Sequence, residues 1–476
     1  MKVRTVSERT WLLGIILIAF GLRVYRLGEQ SLWFDEAFTW WASAVVPSAD
    51  FVPFLLPFGA YTPAYYLVTR GVAVFGTSEY LLRFPSVIMG VLSIPLIARV
   101  ARRIGGDAVA RMAAVLLAID PFHIWYSQEA RMYTLAGFGA LAAMDGFMRA
   151  LDGRSWRRMI VAASLAYVTH YVTLFIGYSQ LLWWLPRFRR QPRQFRYWFA
   201  AHVIAALPLL AWEILYLLQP LRGLAISWIP RTSLAAPLLT LWNFTSADTD
   251  TWTWPVILVA MAVAATAWRG LVQPGRWRSL LLAWLIVPLA SAAVLSLRVP
   301  SYMDRYLAFC LYAWLILLAI GLVRWQPRWL AWLFGGVIVG IMLLNTWRLH
   351  SDPLFAKEDW RGAAVILTEQ VQPGDRIGVQ DTESIVGLRY YYRGTEPLQA
   401  IDLARQPDRL DQLRASAQHV WLVYRSQLES NHRLSKSLPF DVFTQTDEAT
   451  QRWLANNCQE PLAEHQLTAI TVLRCD

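Results

Sequence analysis

Long apolar stretches separated by short basic segments recur along the first three quarters of this chain of 476 residues. A helix needs about 20 apolar residues to cross the hydrocarbon core of a bilayer, and fewer where the bilayer is thin. Because 56% of the residues are hydrophobic and 16% are charged, the composition predicts a polytopic α-helical membrane protein with about 11 transmembrane helices. The stretches lie at residues 10–27, 84–103, 108–122, 130–148, 157–171, 172–186, 198–217, 253–268, 279–297, 306–323 and 329–347.

The arginine-rich segments predict the orientation of these helices. One lies before the first stretch, and further ones follow every second stretch along the chain. Basic loops of this kind face the cytoplasm in membrane proteins. We therefore expect a multi-pass protein of the plasma or inner membrane, with a cytoplasmic N-terminus and an extracytoplasmic C-terminal region. The same loops explain the net charge of +11, so nucleic-acid binding is not expected. No cleavable signal pattern is evident, so the first helix should remain as an anchor.

This topology places the segment 28–83 outside the cytoplasm, between the first two helices. Residues 51–76 within it are apolar, but three prolines and Arg70 interrupt them. Counting them as another span would also invert the charge pattern of everything downstream. We interpret them as one or two helices lying in the membrane interface.

The composition becomes polar after about residue 348. Residues 358–370 have the pattern of an amphipathic helix, and the runs 375–380, 419–424 and 467–475 are typical of short strands. The chain is therefore predicted to comprise a transmembrane module, 1–347, and an extracytoplasmic α/β domain, 348–476. Cys458 and Cys475 both fall in this domain, and a disulfide between them is plausible in an oxidising compartment.

Two adjacent carboxylates, Asp35 and Glu36, follow the first apolar stretch and are flanked by Trp33, Trp40 and Trp41. Bilayer hydrocarbon excludes charge, and the C-terminal end of a helix disfavours anions. Packing therefore explains the pair poorly, and it becomes the first candidate for chemistry. No P-loop, GxGxxG, HExxH or CxxC motif provides a competing site.

Several segments resemble the GT-C glycosyltransferases. The most similar branch is the bacterial one related to protein O-mannosyltransferases (glycosyltransferase family 39) and lipid A aminoarabinose transferases. The run GEQSLWFDEAFTWWAS resembles their first external loop, and later segments resemble further external turns in the same order. These segments are 28–43, 62–96, 123–136, 301–309 and 358–364. The chain departs from the pattern at Thr62-Pro63-Ala64, where many relatives have His-Pro-Pro.

The resemblance and the topology together imply glycosyl transfer outside the cytoplasm. Nucleotide sugars are not normally supplied there, so the expected donor is a sugar linked to polyprenyl phosphate. An acceptor hydroxyl benefits from a carboxylate base, and a base opposite the leaving group gives inversion, as in inverting glycosidases. Asp35 is predicted to be this base, with Glu36 orienting it or the acceptor.

The leaving phosphate needs positively charged side chains at the outer membrane face to stabilise it. Arg131, Arg305 and Arg83 each begin a predicted helix there, and the planar guanidinium fork suits phosphate oxygens. Each arginine could instead be an interfacial anchor. Tyr133 and Tyr306 accompany Arg131 and Arg305 inside the family-like segments, which favours a donor-phosphate role for that set.

Three further residues are secondary candidates. Asp120 and Glu129 could complete an acidic pocket or bind a divalent ion, although an N-cap or a structural partner of Arg131 explains one of them more simply. His170 lies at the tip of a short helical hairpin and could contact a phosphate, but a hydrogen-bonded structural histidine is the simpler interpretation. Whether a divalent cation takes part is left open.

Two rival classes share the many helices. A transporter or lipid flippase more often has inverted repeats and polar interruptions near the bilayer midplane, whereas the charged motifs here gather at outer helix ends. A non-catalytic assembly factor would need the acidic pair only for packing. The sequence does not specify whether the acceptor is a protein, a lipid or a glycan.

Overall fold

The computed structural model describes residues 8–58, 62–219, 229, 232, 234–247, 254–380, 382–401, 409–425, 456, 458 and 461–475. Helices dominate the first 351 residues. In chain order they are α1 (Glu8–Val24), α2 (Phe34–Trp40), α3 (Phe51–Leu55), α4 (Ala64–Ala73), α5 (Glu79–Gly105), α6 (Asp107–Ile119), α7 (Pro121–Ser127), α8 (Tyr133–Leu151), α9 (Arg157–Thr169), α10 (Leu174–Trp184), α11 (Pro192–Leu217), α12 (Ala236–Ser246), α13 (Trp254–Leu271), α14 (Arg278–Ser296), α15 (Leu311–Arg324) and α16 (Arg328–Ser351).

Each of the eleven predicted apolar stretches overlaps at least one of these helices. Five helical segments among the described residues are long and apolar enough to cross a membrane, and they become six if α6 and α7, bent by 57°, form one broken span. Most of the other helices are shorter than 18 residues, and turns and 3-10 segments such as Tyr171–Thr173 interrupt several of the apolar stretches. The multi-pass architecture is thus supported, while the count of about eleven stays a prediction.

Asp120 and Arg23 stabilise the bend between α6 and α7. The Asp120 carboxylate accepts a hydrogen bond of 2.7 Å from the backbone N–H of His123 and caps the start of α7. The buried Arg23 guanidinium donates to the carbonyls of Leu117 and Ala118 at 2.9 and 3.0 Å. The last carbonyls of a helix have no partner inside it, so Arg23 satisfies two groups that the bend would leave unpaired.

The predicted interfacial segment 51–76 forms two short helices, α3 and α4, as expected. Tyr66 and Thr69 are buried on α4, and the Thr69 hydroxyl is 2.6 Å from that of Ser43. The segment therefore packs on the residues that follow α2. Its depth in the interface stays a prediction.

After residue 351 the chain forms a mixed sheet with three further helices. The helices are α17 (Trp360–Gln370), α18 (Thr382–Tyr391) and α19 (Arg409–Ala415), and the strands are β1 (Arg376–Val379), β2 (Leu398–Ala400), β3 (Val420–Tyr424), β4 (Ala463–Leu467) and β5 (Ile470–Cys475). The strand order is β2-β1-β3-β5-β4, with β1 parallel to β2 and β3, and β5 antiparallel to β3 and β4. Ile377, Val379, Trp421, Val423 and Val472 form its core with Trp360 and Leu367 of α17.

The three predicted strands all occur, within a few residues of the expected positions. Cys458 and Cys475 form the disulfide considered from the sequence, with Cα atoms 5.6 Å apart. Helix α16 runs through the expected domain boundary at residue 347 and ends at Ser351. The division into two domains stays a prediction, and the sheet contacts the first loop closely, as described next.

Candidate active site

Asp35 and Glu36 lie in the first turn of α2, a short helix that is separate from α1. Helix α1 ends at Val24, so the expected repulsion from its C-terminal end does not apply. The first turn of a helix instead favours anions, because its backbone N–H groups are unpaired and the helix dipole is positive there. Both residues are buried, and they face different partners.

Glu36 is at the centre of a buried ion cluster. Arg83 binds both carboxylate oxygens at 2.8 Å, Lys357 Nζ lies 3.0 Å from Oε2, and the backbone N–H of Ala130 donates to Oε1 at 2.8 Å. We call Glu36, Arg83 and Lys357 the Glu36 cluster. Together with the Ala130 N–H, the cluster joins four parts of the chain: α2, the start of α5, the turn after α7, and the segment between α16 and α17.

Burial would by itself raise the pKa of Glu36, but Arg83 and Lys357 outweigh it and lower that pKa to about 2. Burial is also the first reason that the pKa of Lys357 is lowered, with Glu36 opposing it. Glu36 is therefore a carboxylate at neutral pH, saturated with donors, and too weak a base to accept a proton from a hydroxyl.

Arg83, predicted to bind the donor phosphate, has no guanidinium N–H left for a ligand. In addition to its bonds to Glu36, it donates to the carbonyls of Leu27, Gln30 and Ser31 at 2.7, 3.0 and 2.9 Å. These bonds use all five of its N–H donors. The arrangement favours a structural role, fixing the chain between α1 and α2, over the predicted one.

Asp35 faces Arg131 and Tyr66. Its Oδ2 lies 3.6 Å from Arg131 Nη2, and its carbonyl accepts from Arg131 Nη1 at 3.3 Å. Arg131 Nη1 also contacts the Tyr66 hydroxyl at 3.2 Å. The Asp35 side chain is 11% exposed, so it is sheltered but can still be reached. We call Asp35, Arg131 and Tyr66, together with Arg305, the Asp35 face.

Arg305 lies among aromatic rings. Its Cζ is 5.5 Å from the Trp33 ring and 5.8 Å from those of both Tyr133 and Tyr306. The rings of Tyr133 and Tyr306 are 6.3 Å apart, and His170 is 5.0 Å from Tyr306. Aromatic faces hold a guanidinium in place while leaving its N–H edge able to donate. Four predicted residues, Arg305, Tyr133, Tyr306 and His170, are thus brought together.

Glu129 is buried beside both groups. Burial raises its pKa to about 7, with Lys357 lowering it and the Glu36 charge raising it. It belongs to the turn Gln128–Met132 that also supplies Arg131 and the Ala130 N–H. Its carboxyl therefore changes charge near neutral pH. Asp120, by contrast, is the cap of α7 facing Arg23 and is not brought to this site.

Sequence reasoning missed several of these side chains. Lys357 stands just before the family-like run 358–364, and it is one of only three lysines in the chain, with Lys2 and Lys436. The rarity of lysine in this chain was the signal that could have marked Lys357 as a candidate site residue. Asp304 is buried and accepts hydrogen bonds of 2.7 Å from both Thr240 and Asn243, which supports the segment carrying Arg305.

The C-terminal segment contacts the first loop directly. Glu358 accepts from the backbone N–H of Phe34 at 3.2 Å, and the Tyr391 hydroxyl accepts from that of Leu32 at 2.8 Å. Among the described residues, no group of three or more His, Cys, Asp or Glu side chains is arranged to hold a metal ion. The charged residues named at this site are the acids, the arginines and Lys357.

Comparisons with known proteins address the fold of the chain. Residues 62–216 match the family model described as dolichyl-phosphate-mannose-protein mannosyltransferase. The structure is similar to that of ArnT from Cupriavidus metallidurans, with a TM-score of 0.66 and 13% identity over 98% of each chain. It is also similar to the oligosaccharyltransferase of Archaeoglobus fulgidus with a tethered acceptor peptide, with a TM-score of 0.51 and 14% identity over 87% of this chain and 69% of that one. No curated protein sequence matches significantly.

The family match covers residues 62–216, and the structural similarity to ArnT extends over nearly the whole chain. The chain therefore has the fold of ArnT and of the archaeal oligosaccharyltransferase, as expected from the GT-C resemblance of its sequence. The matched range 62–216 supplies Arg83, Glu129, Arg131, Tyr133 and His170, which make up much of the candidate site.

Proposed function

We propose that this protein is a glycosyltransferase that moves a sugar from a polyprenyl-phosphate-linked donor to an acceptor hydroxyl on the extracytoplasmic side of the membrane, with inversion. The observation that carries the proposal is the Asp35 face, where a reachable carboxylate lies beside two buried arginines. The structure of ArnT from Cupriavidus metallidurans bound to undecaprenyl phosphate supports the donor class, since it has a TM-score of 0.64 over 98% of each chain at 14% identity.

Asp35 acts as the general base in this proposal. It accepts the proton of the acceptor hydroxyl as that oxygen bonds to the anomeric carbon of the sugar. The bond from that carbon to the phosphate oxygen breaks, and polyprenyl phosphate leaves with the electron pair. Attack from the side opposite the leaving group inverts the anomeric configuration.

Arg131 and Arg305 receive the charge that develops on the leaving phosphate. Charge-assisted hydrogen bonds from guanidinium to phosphate oxygens are short and strong, and a buried site screens them little. Tyr133, Tyr306 and Trp33 hold Arg305 in place through their ring faces. Tyr66 holds Arg131 on the side that faces Asp35.

The Glu36 cluster has the supporting role in this mechanism. It fixes the first turn of α2, and hence the neighbouring Asp35, against α5 and the C-terminal segment. Positioning of reacting groups can lower the activation barrier of an enzyme by roughly several kcal/mol. The Arg83 bonds to Glu36 belong to the same support.

The test is a transfer assay with purified protein in liposomes. A radiolabelled polyprenyl-phosphate sugar is supplied, and the water-soluble, lipid and protein products are separated and identified by mass. Consumption of the donor with appearance of a glycosylated acceptor supports the proposal, and NMR of the product bond tests inversion. Movement of intact donor across the bilayer without consumption would instead indicate a flippase.

A further inference from the structure

A cavity of about 520 Å³ lies at the end of the helical bundle away from the Asp35 face. Helix α10 begins near His170 and ends at this cavity, whereas α14 begins here and ends before Tyr302. At 1.5 Å per residue, the 19 residues of α14 separate the two ends by about 28 Å. Four arginines and two tryptophans dominate the lining: Arg187, Arg190, Arg193, Arg276, Trp183 and Trp277.

Two of these arginines are held in defined positions. The Cζ of Arg187 lies 4.3 Å from the Trp183 ring, and its Nη2 donates to the Ser279 hydroxyl at 3.0 Å. The Cζ of Arg276 lies 4.5 Å from the Trp277 ring. A guanidinium stacked on an indole keeps N–H groups along its edge, so it loses little rotamer freedom when it binds an anion.

The positive charge of the cavity favours an anionic ligand. No acidic residue lines it within the described part of the chain. The Asp152 carboxylate, which pairs with the lining residue Arg276 at 3.0 Å, also pairs with Arg103 at 2.7 Å. Guanidinium groups bind phosphate oxygens through paired N–H donors. A cytoplasmic topology explains why basic residues are on this side, but it does not require them to converge on one cavity with tryptophan walls.

The surroundings favour a lipid over a soluble anion. Leu185, Phe188 and Tyr197 are large exposed apolar side chains on the same elements as the arginines. Tryptophans commonly lie at headgroup depth, and basic pockets between transmembrane helices on the cytoplasmic side bind anionic headgroups. We propose that this cavity binds the phosphodiester headgroup of an anionic phospholipid, with the acyl chains against the exposed apolar side chains.

The experiment compares two double variants of the full-length protein. Arg190→Gln with Arg193→Gln removes two exposed cavity arginines, while Arg154→Gln with Arg158→Gln removes two exposed arginines on the same face outside the cavity. Native mass spectrometry then measures retained phosphatidylglycerol against phosphatidylcholine at equal concentrations. A further arm adds inorganic phosphate as a competitor to protein that retains the lipid.

The expected result is preferential retention of phosphatidylglycerol by the wild type and by the Arg154/Arg158 variant. Retention should weaken roughly fivefold for each cavity arginine removed, as expected for basic residues at an anionic surface. Unchanged retention by the cavity variant would overturn the proposal, as would an equal loss in both variants. Displacement of the lipid by inorganic phosphate at a similar concentration would assign the site to free phosphate instead of lipid.

Discussion

Asp35 and Glu36 are neighbours in sequence, yet their carboxylates occupy opposite environments. Glu36 is fully buried and accepts hydrogen bonds from Arg83, Lys357 and Ala130. The Asp35 carboxylate has a looser contact with Arg131 at 3.6 Å and stays partly exposed. A base needs a free lone pair and access to its substrate, whereas a structural anion needs neither. The comparison therefore supports the proposed chemical role of Asp35 and the proposed supporting role of Glu36.

The largest effect should come from Asp35→Asn. Removing the base should lower kcat by about 10²–10⁴-fold, because the amide cannot accept the proton of the acceptor hydroxyl. The thermal midpoint should stay close to that of the wild type, since the carboxylate makes only a long ion pair. Turnover in the transfer assay and a melting curve of the same sample measure the two quantities.

Asp50→Asn is the matched control, because Asp50 is exposed and lies in the same loop. It makes the same change in charge and should leave kcat unchanged. Wild-type turnover by the Asp35→Asn protein would remove Asp35 from the mechanism. Asp35 would then have no catalytic role to distinguish it from Glu36.

Glu36→Gln should act on stability first. The amide leaves Arg83 and Lys357 buried without their anion, and breaking a buried ion pair in this way costs about 3–5 kcal/mol. We expect a large drop in the thermal midpoint, with activity lost in proportion to the folded fraction. Glu369→Gln, at an exposed position of α17, is the control. A stable but inactive Glu36→Gln protein would instead give Glu36 a direct chemical role.

Much of the fold follows from local sequence patterns. The apolar stretches located the helices, and the short apolar runs around Ile377, Trp421 and Val472 located three of the five strands. Strand β4, Ala463–Leu467, was missed because its sequence AEHQL is polar and its residues are partly exposed. Its position depends on pairing with β5, which is a tertiary effect.

Only part of the site could be predicted from the sequence, and the omissions have physical reasons. Asp35, Arg131 and Arg305 could be proposed because each stands in a family-like segment beside aromatic residues. The bond between Lys357 and Glu36 joins residues 321 positions apart, and no local pattern reports such a contact. Arg83 was assigned to phosphate because an arginine at a helix start does not reveal whether its donors are already used.

Arg305→Gln tests the cationic part of the Asp35 face. Loss of charge-assisted bonds to the leaving phosphate should weaken donor binding and its transition state by about 1.5–3 kcal/mol. The apparent KM for the polyprenyl-phosphate donor should rise roughly tenfold or more. Arg298→Gln, an exposed arginine before the same segment, should leave KM unchanged. Equal KM values for both variants would mean that Arg305 only supports its aromatic neighbours.

A further expected effect is a pH dependence in which the buried carboxyl groups of Glu36 and Glu129 act with opposite sign. The pKa of Glu36 is lowered to about 2 from 4.5, so its contribution to stability is full above pH 4.5 and is lost as the pH falls toward 2. The pKa of Glu129 is raised to about 7 from the same value. Its effect has the opposite sign, because the buried neutral form is favoured and stability is lost as the pH rises from 4.5 through 7.

Glu129 should therefore make the thermal midpoint of the wild type decline between about pH 4.5 and pH 7. Glu129→Gln keeps a neutral side chain of similar shape at every pH, so its decline over this range should be smaller, whereas Glu369→Gln should follow the wild type. Parallel curves for all three proteins would show that Glu129 does not titrate there. In that case the buried charge next to the Asp35 face would be set by Lys357 and the arginines alone.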